Sequence, residues 1–131
     1  MLLKLIWEYY FMGQYSSKGA LFFDIDGTLF YHGTGTPIGD SIEAVKTLAD
    51  EGYKIYLTTY RGDENWPDNH KYGKDTTLRQ LEDLGVPYEE ILWNVPSPRI
   101  LINDDGVGVL RTYTNEGFNI DDLRRSIEKS K

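Results

Sequence analysis

FFDIDGTLF, residues 22–30, decides how this chain is read. It closes the apolar run ALFFDI (20–25), then sets Asp24 and Asp26 two positions apart, directly before Gly27. A continuous apolar run ended by a glycine reads as a central strand buried on both faces. Two carboxylates at the mouth of such a strand repel unless a cation sits beside them or one keeps a proton. The rest of the sequence has to say which of the two applies.

Working outward, YHGTGTPIG (31–39) is a loop by its glycine, threonine and proline content. A helix is expected from Asp40, with Asp40 and Glu43 as a capping box and Ile42, Val45, Leu48 and Ala49 at helical spacing. Gly52 ends it. YKIYLTT (53–59) is the second strand, and YRGDENWPDNHKYG (60–73) a long polar loop. Asp75 is expected to cap a helix carrying Leu78, Leu81 and Leu84, stopped by Gly85. EEILW (89–93) and RILIN (99–103) read as short strands, and a last helix starts near Asn119 with Ile120, Leu123 and Ile127 as its stripe. This alternation predicts an α/β fold, a Rossmann-like parallel sheet with helices on both faces.

The 131 residues suffice for one domain with its own core. Residues 19–131 are expected to form it, with 1–18 as an N-terminal extension. MLLKLIWEYYF at the start is broken by Lys4 and Glu8 and is too short for a spanning helix. No membrane role is expected, and the cytoplasm is the default location. The absence of cysteine excludes disulfides and thiolate chemistry, and two histidines leave little for a His-based metal site. A net charge of −7 disfavours broad binding to a nucleic-acid backbone.

Ligands of open parallel sheets bind at the carboxyl ends of the strands. Here those ends carry Asp24 and Asp26, then Thr58 and Thr59, then Asp104 and Asp105. Each has an ordinary alternative: strand-end Asp forms turns, Asp105-Gly106 is a turn signal, and Thr favours strands anyway. Together they suit a hard cation held by oxygens, Mg²⁺ before Ca²⁺, which would gather a phosphoryl group. Thr58 or Thr59 would hydrogen-bond a phosphate oxygen, and a Lys would offset the remaining charge.

DIDGT (24–28), the strand-terminal Thr and INDD (102–105), in that order, resemble motifs I, II and IV of the haloacid dehalogenase (HAD) superfamily of phosphatases. The resemblance covers about residues 20–110. It implies that Asp24 is the nucleophile of an aspartyl-phosphate mechanism and Asp26 the general acid and base. It implies Mg²⁺ bound by the Asp24 carboxylate, the Asp26 backbone carbonyl and Asp104, with Asp105 as ligand or neighbour. Capsule-biosynthesis-like members carry a Lys where this chain has Val95, so Lys74 is the expected substitute, with Lys71 and Arg99 behind it. Fewer than thirty residues separate Asp26 from the second strand, leaving no room for a cap domain. An open site of this kind suits a bulky phosphorylated substrate, or closure by a partner subunit in a homo-oligomer. The expected activity is Mg²⁺-dependent hydrolysis of a phosphomonoester. Sugar phosphates, polysaccharide-related esters and a nucleic-acid 3′-phosphate are open as substrates, the last disfavoured by the acidic charge. The competing expectation is a phosphate-binding or assembly module without turnover.

Overall fold

The structure, a computed structural model, describes residues 19–95, 100–102, 108–110 and 117–129. In chain order the elements are β1 (Ala20–Asp24), α1 (Ser41–Asp50), β2 (Lys54–Thr58), α2 (Lys74–Asp83), β3 (Glu90–Leu92), β4 (Ile100–Ile102), β5 (Gly108–Leu110) and α3 (Ile120–Lys129). The strands lie in the order β3-β2-β1-β5-β4. β1 is therefore central, as its apolar run demands. It pairs in parallel with β2, from Ala20 opposite Lys54 to Asp24 opposite Thr58, and in parallel with β5. β2 and β3 are also parallel, which makes the fold α/β and Rossmann-like.

One edge departs from expectation. β4 runs antiparallel to β5, Ile100 opposite Leu110 and Ile102 opposite Gly108. The strand read at 99–103 thus points its carboxyl end away from the rim where β1 ends. β5 carries glycine, valine and leucine in only three positions, too little periodicity to read as a strand. Asp104 and Asp105, the expected metal ligands beyond β4, lie outside the described residues.

Side chains alternate across a strand. Leu21, Phe23 and Ile25 therefore share a face with Ile55 and Leu57, and this face joins Ile42, Val45 and Leu48 of α1, Leu81 of α2, and Leu123 and Ile127 of α3 in one core cluster. Burying a side chain such as Phe23 or Leu57 contributes about 1.5–3 kcal/mol. On the opposite face Phe22 stacks on its cross-strand neighbour Tyr56, centroids 5.0 Å apart.

The helix ends refine the expected caps. Asp40 is the N-cap of α1 but makes no side-chain cap bond, so the capping box does not form; Glu43 pairs instead with Lys46 at 3.5 Å. The buried Ser41 hydroxyl anchors the helix start by donating to the Leu29 carbonyl at 2.8 Å. α2 starts two residues earlier than expected, with Gly73 as N-cap and Asp75 in the first turn. There an acid still favours the helix dipole. Asn119 does cap α3, its side-chain oxygen accepting from the Asp121 and Asp122 amides at 2.9 and 3.1 Å.

Candidate active site at the end of the central strand

β1 delivers Asp24 to the sheet rim opposite Thr58, and the Ile25 amide donates to the Thr58 carbonyl at 3.0 Å. The chain then turns tightly: the Leu29 and Phe30 amides both donate to the Ile25 carbonyl, and Gly27 takes φ +84° and donates to the Phe30 carbonyl. A side chain there would be strained, so the glycine after the second carboxylate is a backbone requirement. Asp24 and Asp26 are both buried, each 8% exposed.

The cation beside Asp26 is Arg61, a residue that the sequence reading passed over. Arg61 is fully buried. Its Nε donates to Asp26 Oδ2 at 2.9 Å and its Nη2 to Oδ1 at 2.8 Å, a two-pronged pair. Nη1 donates to Thr77 Oγ1 at 3.0 Å and Gln80 Oε1 at 2.8 Å, both on α2, and Nη2 also donates to the Thr34 carbonyl at 2.8 Å. A guanidinium has five N–H donors, and these five bonds engage all of them. Arg61 therefore neutralises and orients Asp26 without a donor left for a ligand. Its carbon lies 6.0 Å from the Phe30 ring centroid and 5.9 Å from that of Tyr72, within cation–π range. The Gly33 amide adds a third donor to Asp26 Oδ1 at 3.0 Å.

The two threonines after β2 are distinguished by their bonding. The Thr59 hydroxyl accepts from the Arg61 amide at 3.0 Å, shaping the turn that aims Arg61. The Thr58 hydroxyl is buried and has no hydrogen-bond partner among the described residues. An unsatisfied buried hydroxyl costs about 1–3 kcal/mol, a cost that a ligand oxygen would remove. Of the two, Thr58, opposite Asp24, is thus the one whose hydroxyl is left for a ligand.

Lys74 opens α2, but its Nζ lies 5.7 Å from the Trp93 ring centroid. It lines a hollow of about 280 Å³ with Gly62, Asp63, Glu64, Trp66 and Asp68. A second pocket, of about 250 Å³, contains Asp26, with His32, Tyr60, Arg61, Trp66 and Tyr72. Trp66 borders both pockets; Lys74 shares its own with Asp63, Glu64 and Asp68, whereas Asp26 lines the other. Lys71 is exposed, its Nζ 5.1 Å from the Tyr72 centroid, and Arg99 lies outside the described residues. Val95 occupies the turn after β3, where its amide donates to the Thr59 carbonyl at 3.0 Å.

Among the described residues no group of three or more His, Cys, Asp or Glu is placed to hold a metal. The donors the rim does offer are hard oxygens: the Asp24 carboxylate and the main-chain carbonyl of Asp26, whose side chain is committed to Arg61. Mg²⁺ characteristically takes one or two carboxylates and completes its shell with water and phosphate. This donor set fits that habit.

No family model matches the chain, and no curated protein does. Among solved structures it is similar to the crystal structure of an MCSG target from Vibrio cholerae, at 25% identity and a TM-score of 0.56, covering 86% of this chain and 98% of that one. Among the described residues no helix is long and apolar enough to cross a membrane.

Proposed function

We propose that the chain is a Mg²⁺-dependent phosphomonoester hydrolase working through an aspartyl-phosphate on Asp24. The observation that carries this reading is the buried Thr58 hydroxyl without a partner, in register with Asp24 at the rim of the sheet. The order of DIDGT, a strand-terminal Thr and INDD, resembling the HAD phosphatases, supports the same reading.

An Asp24 carboxylate oxygen attacks phosphorus, and the bond from phosphorus to the ester oxygen breaks. For this step Asp26 must enter as the carboxylic acid, and its proton passes to the departing oxygen. Asp26, now a carboxylate, accepts a proton from water as that water attacks the phosphorus. The bond between phosphorus and Asp24 then breaks, releasing inorganic phosphate and freeing the nucleophile. The Thr58 hydroxyl donates to a phosphoryl oxygen, and Arg61 acts as a positioning residue for Asp26. Mg²⁺, held by the Asp24 carboxylate and the Asp26 carbonyl, would offset the phosphoryl charge. No further ligand is assigned, because β4, which precedes Asp104 and Asp105 in sequence, points its carboxyl end away from this rim.

A panel of phosphate esters assayed with and without Mg²⁺ tests the reading, with Asp24→Asn as the control. Turnover is expected only with the metal, and none from Asp24→Asn although its far-UV spectrum is unchanged. Activity retained by Asp24→Asn would sink the aspartyl-phosphate route. A second reading, a phosphate-binding module without turnover, is favoured by one observation: both Asp26 oxygens are held by Arg61. It predicts saturable binding of inorganic phosphate and no hydrolysis of any ester.

A further inference from the structure

The pocket containing Asp26 has walls that the proposed chemistry does not use. Trp66 lies between other rings: its centroid is 5.6 Å from His70 in a stacked pair, 5.0 Å from Tyr72 and 6.4 Å from Tyr60 edge-on. His32 completes the group, edge-on to Tyr72 at 6.0 Å. Tyr60 is 56% exposed, the most exposed large hydrophobic side chain among the described residues. Packing the fold does not require an aromatic ring there.

The polar atoms of the same pocket are largely occupied. All five donors of Arg61 are engaged, Asp26 accepts from Arg61 and Gly33, and the Tyr72 hydroxyl lies 3.4 Å from His32 Nδ1. A sugar carries a hydroxyl on nearly every carbon, and each one buried without a partner is penalised. A flat aromatic group brings no such demand and gains from ring-on-ring contact. The volume of about 250 Å³ falls below the roughly 300–1,000 Å³ of pockets for drug-sized ligands, which leaves room for one ring system.

We infer that this pocket receives the leaving group of the substrate, and that the substrate is a phosphomonoester whose alcohol carries a planar aromatic ring, with Tyr60 and Trp66 as its specificity-determining side chains. The inference rests on the hydrolase reading for its orientation. Asp26, the proton donor to the leaving oxygen, lines the pocket, so a group attached to that oxygen is directed among the rings.

Benzyl phosphate, butyl phosphate and glucose 6-phosphate make the test, because a methylene insulates the benzyl ring from the ester oxygen and keeps intrinsic reactivity similar. Benzyl phosphate is expected to show the highest kcat/KM. Its advantage over butyl phosphate should shrink about tenfold in Tyr60→Ala and in Trp66→Ala, the size of a lost stacking contact, and Trp66→Phe should restore part of it. Equal values for benzyl and butyl phosphate, or a preference for glucose 6-phosphate, would overturn the inference while leaving the hydrolase reading intact. Binding of the non-hydrolysable benzylphosphonate, followed through the Trp66 indole N–H resonance with butylphosphonate as comparison, gives a readout without turnover. Tighter benzylphosphonate binding supports the pocket assignment even if no ester is hydrolysed, the outcome in which the hydrolase reading alone fails. Equal binding of the two phosphonates counts against the pocket.

Discussion

Asp26 and Arg61 show how one residue's chemistry is set by another 35 positions away. A buried carboxylate needs its charge compensated, and removing one partner of a buried pair typically costs about 3–5 kcal/mol. Arg61→Ala is therefore expected to lower stability by that order, read as a fall in the urea midpoint. Arg61→Lys should recover little, because a compact ammonium cannot span Asp26, Thr77, Gln80 and the Thr34 carbonyl together. The double variant Arg61→Ala/Asp26→Ala should lose less than the sum of its singles, since the residues interact directly. Lys74 is a different case. With its ammonium over Trp93 and lining the other pocket, Lys74→Ala is expected to reduce turnover less than tenfold. A loss of a hundredfold or more, the worth of a preorganised contact to the reacting group, would return Lys74 to the phosphate.

At the scale of elements, the 62–73 segment is a strap folded back on the start of α2. The Thr76 hydroxyl donates to the Asp68 carbonyl at 2.9 Å, the Thr77 hydroxyl to the Gly73 carbonyl at 2.8 Å, and the Gly62 amide to the Tyr72 carbonyl at 2.9 Å. Thr77 also receives Arg61, so the strap, α2 and the Asp26 carboxylate are held through one set of bonds. Gly73 sits where backbone passes close to backbone: a Cβ there would lie 2.4 Å from the carbonyl oxygens of Pro67 and Asp68. Neither can yield as a flexible side chain would. Gly73→Ala is expected to destabilise by about 1–3 kcal/mol, the usual cost of overpacking. Thermal unfolding checks this. Because the strap carries Trp66 and Tyr72, the same variant should weaken aryl-ester turnover.

For the whole molecule, Tyr56 couples the sheet to pH. Burial raises its pKa above the ordinary 10.0, with the charges of Glu89 and Glu90 adding to the effect. The folded protein thus keeps the phenol proton where the unfolded chain releases it. The stability linked to Tyr56 is fully present below pH 10.0 and is lost as pH rises from there through the folded pKa. Tyr56→Phe keeps the ring on Phe22 and removes the titration. Its stability is expected to fall less steeply than that of the wild type above pH 10.0, measured by urea unfolding across the alkaline range. Parallel slopes for the two proteins would refute the assignment.

What the sequence determined by itself is the layered α/β order and the placement of carboxylates at a strand end. Both follow from local causes: an unbroken apolar run for β1, 3.6-residue periodicity for α1 and α2, and glycines where the backbone must turn left-handed, as at Gly52 and Gly85. The Asp24 and Thr58 neighbours were legible for the same reason, since two parallel strands of equal length bring their ends together. Only the tertiary structure decided which way β4 runs, because three apolar residues fit either direction and the choice depends on the neighbour they pair with. It also decided the cation of Asp26. Arg61 stands in a polar loop with other charged residues, and nothing in its sequence neighbourhood marks it as buried. Its position two residues beyond Thr59 at the same rim was the available signal. Burial became tolerable only when Asp26, Thr34, Thr77 and Gln80, far apart in sequence, converged to take its five donors.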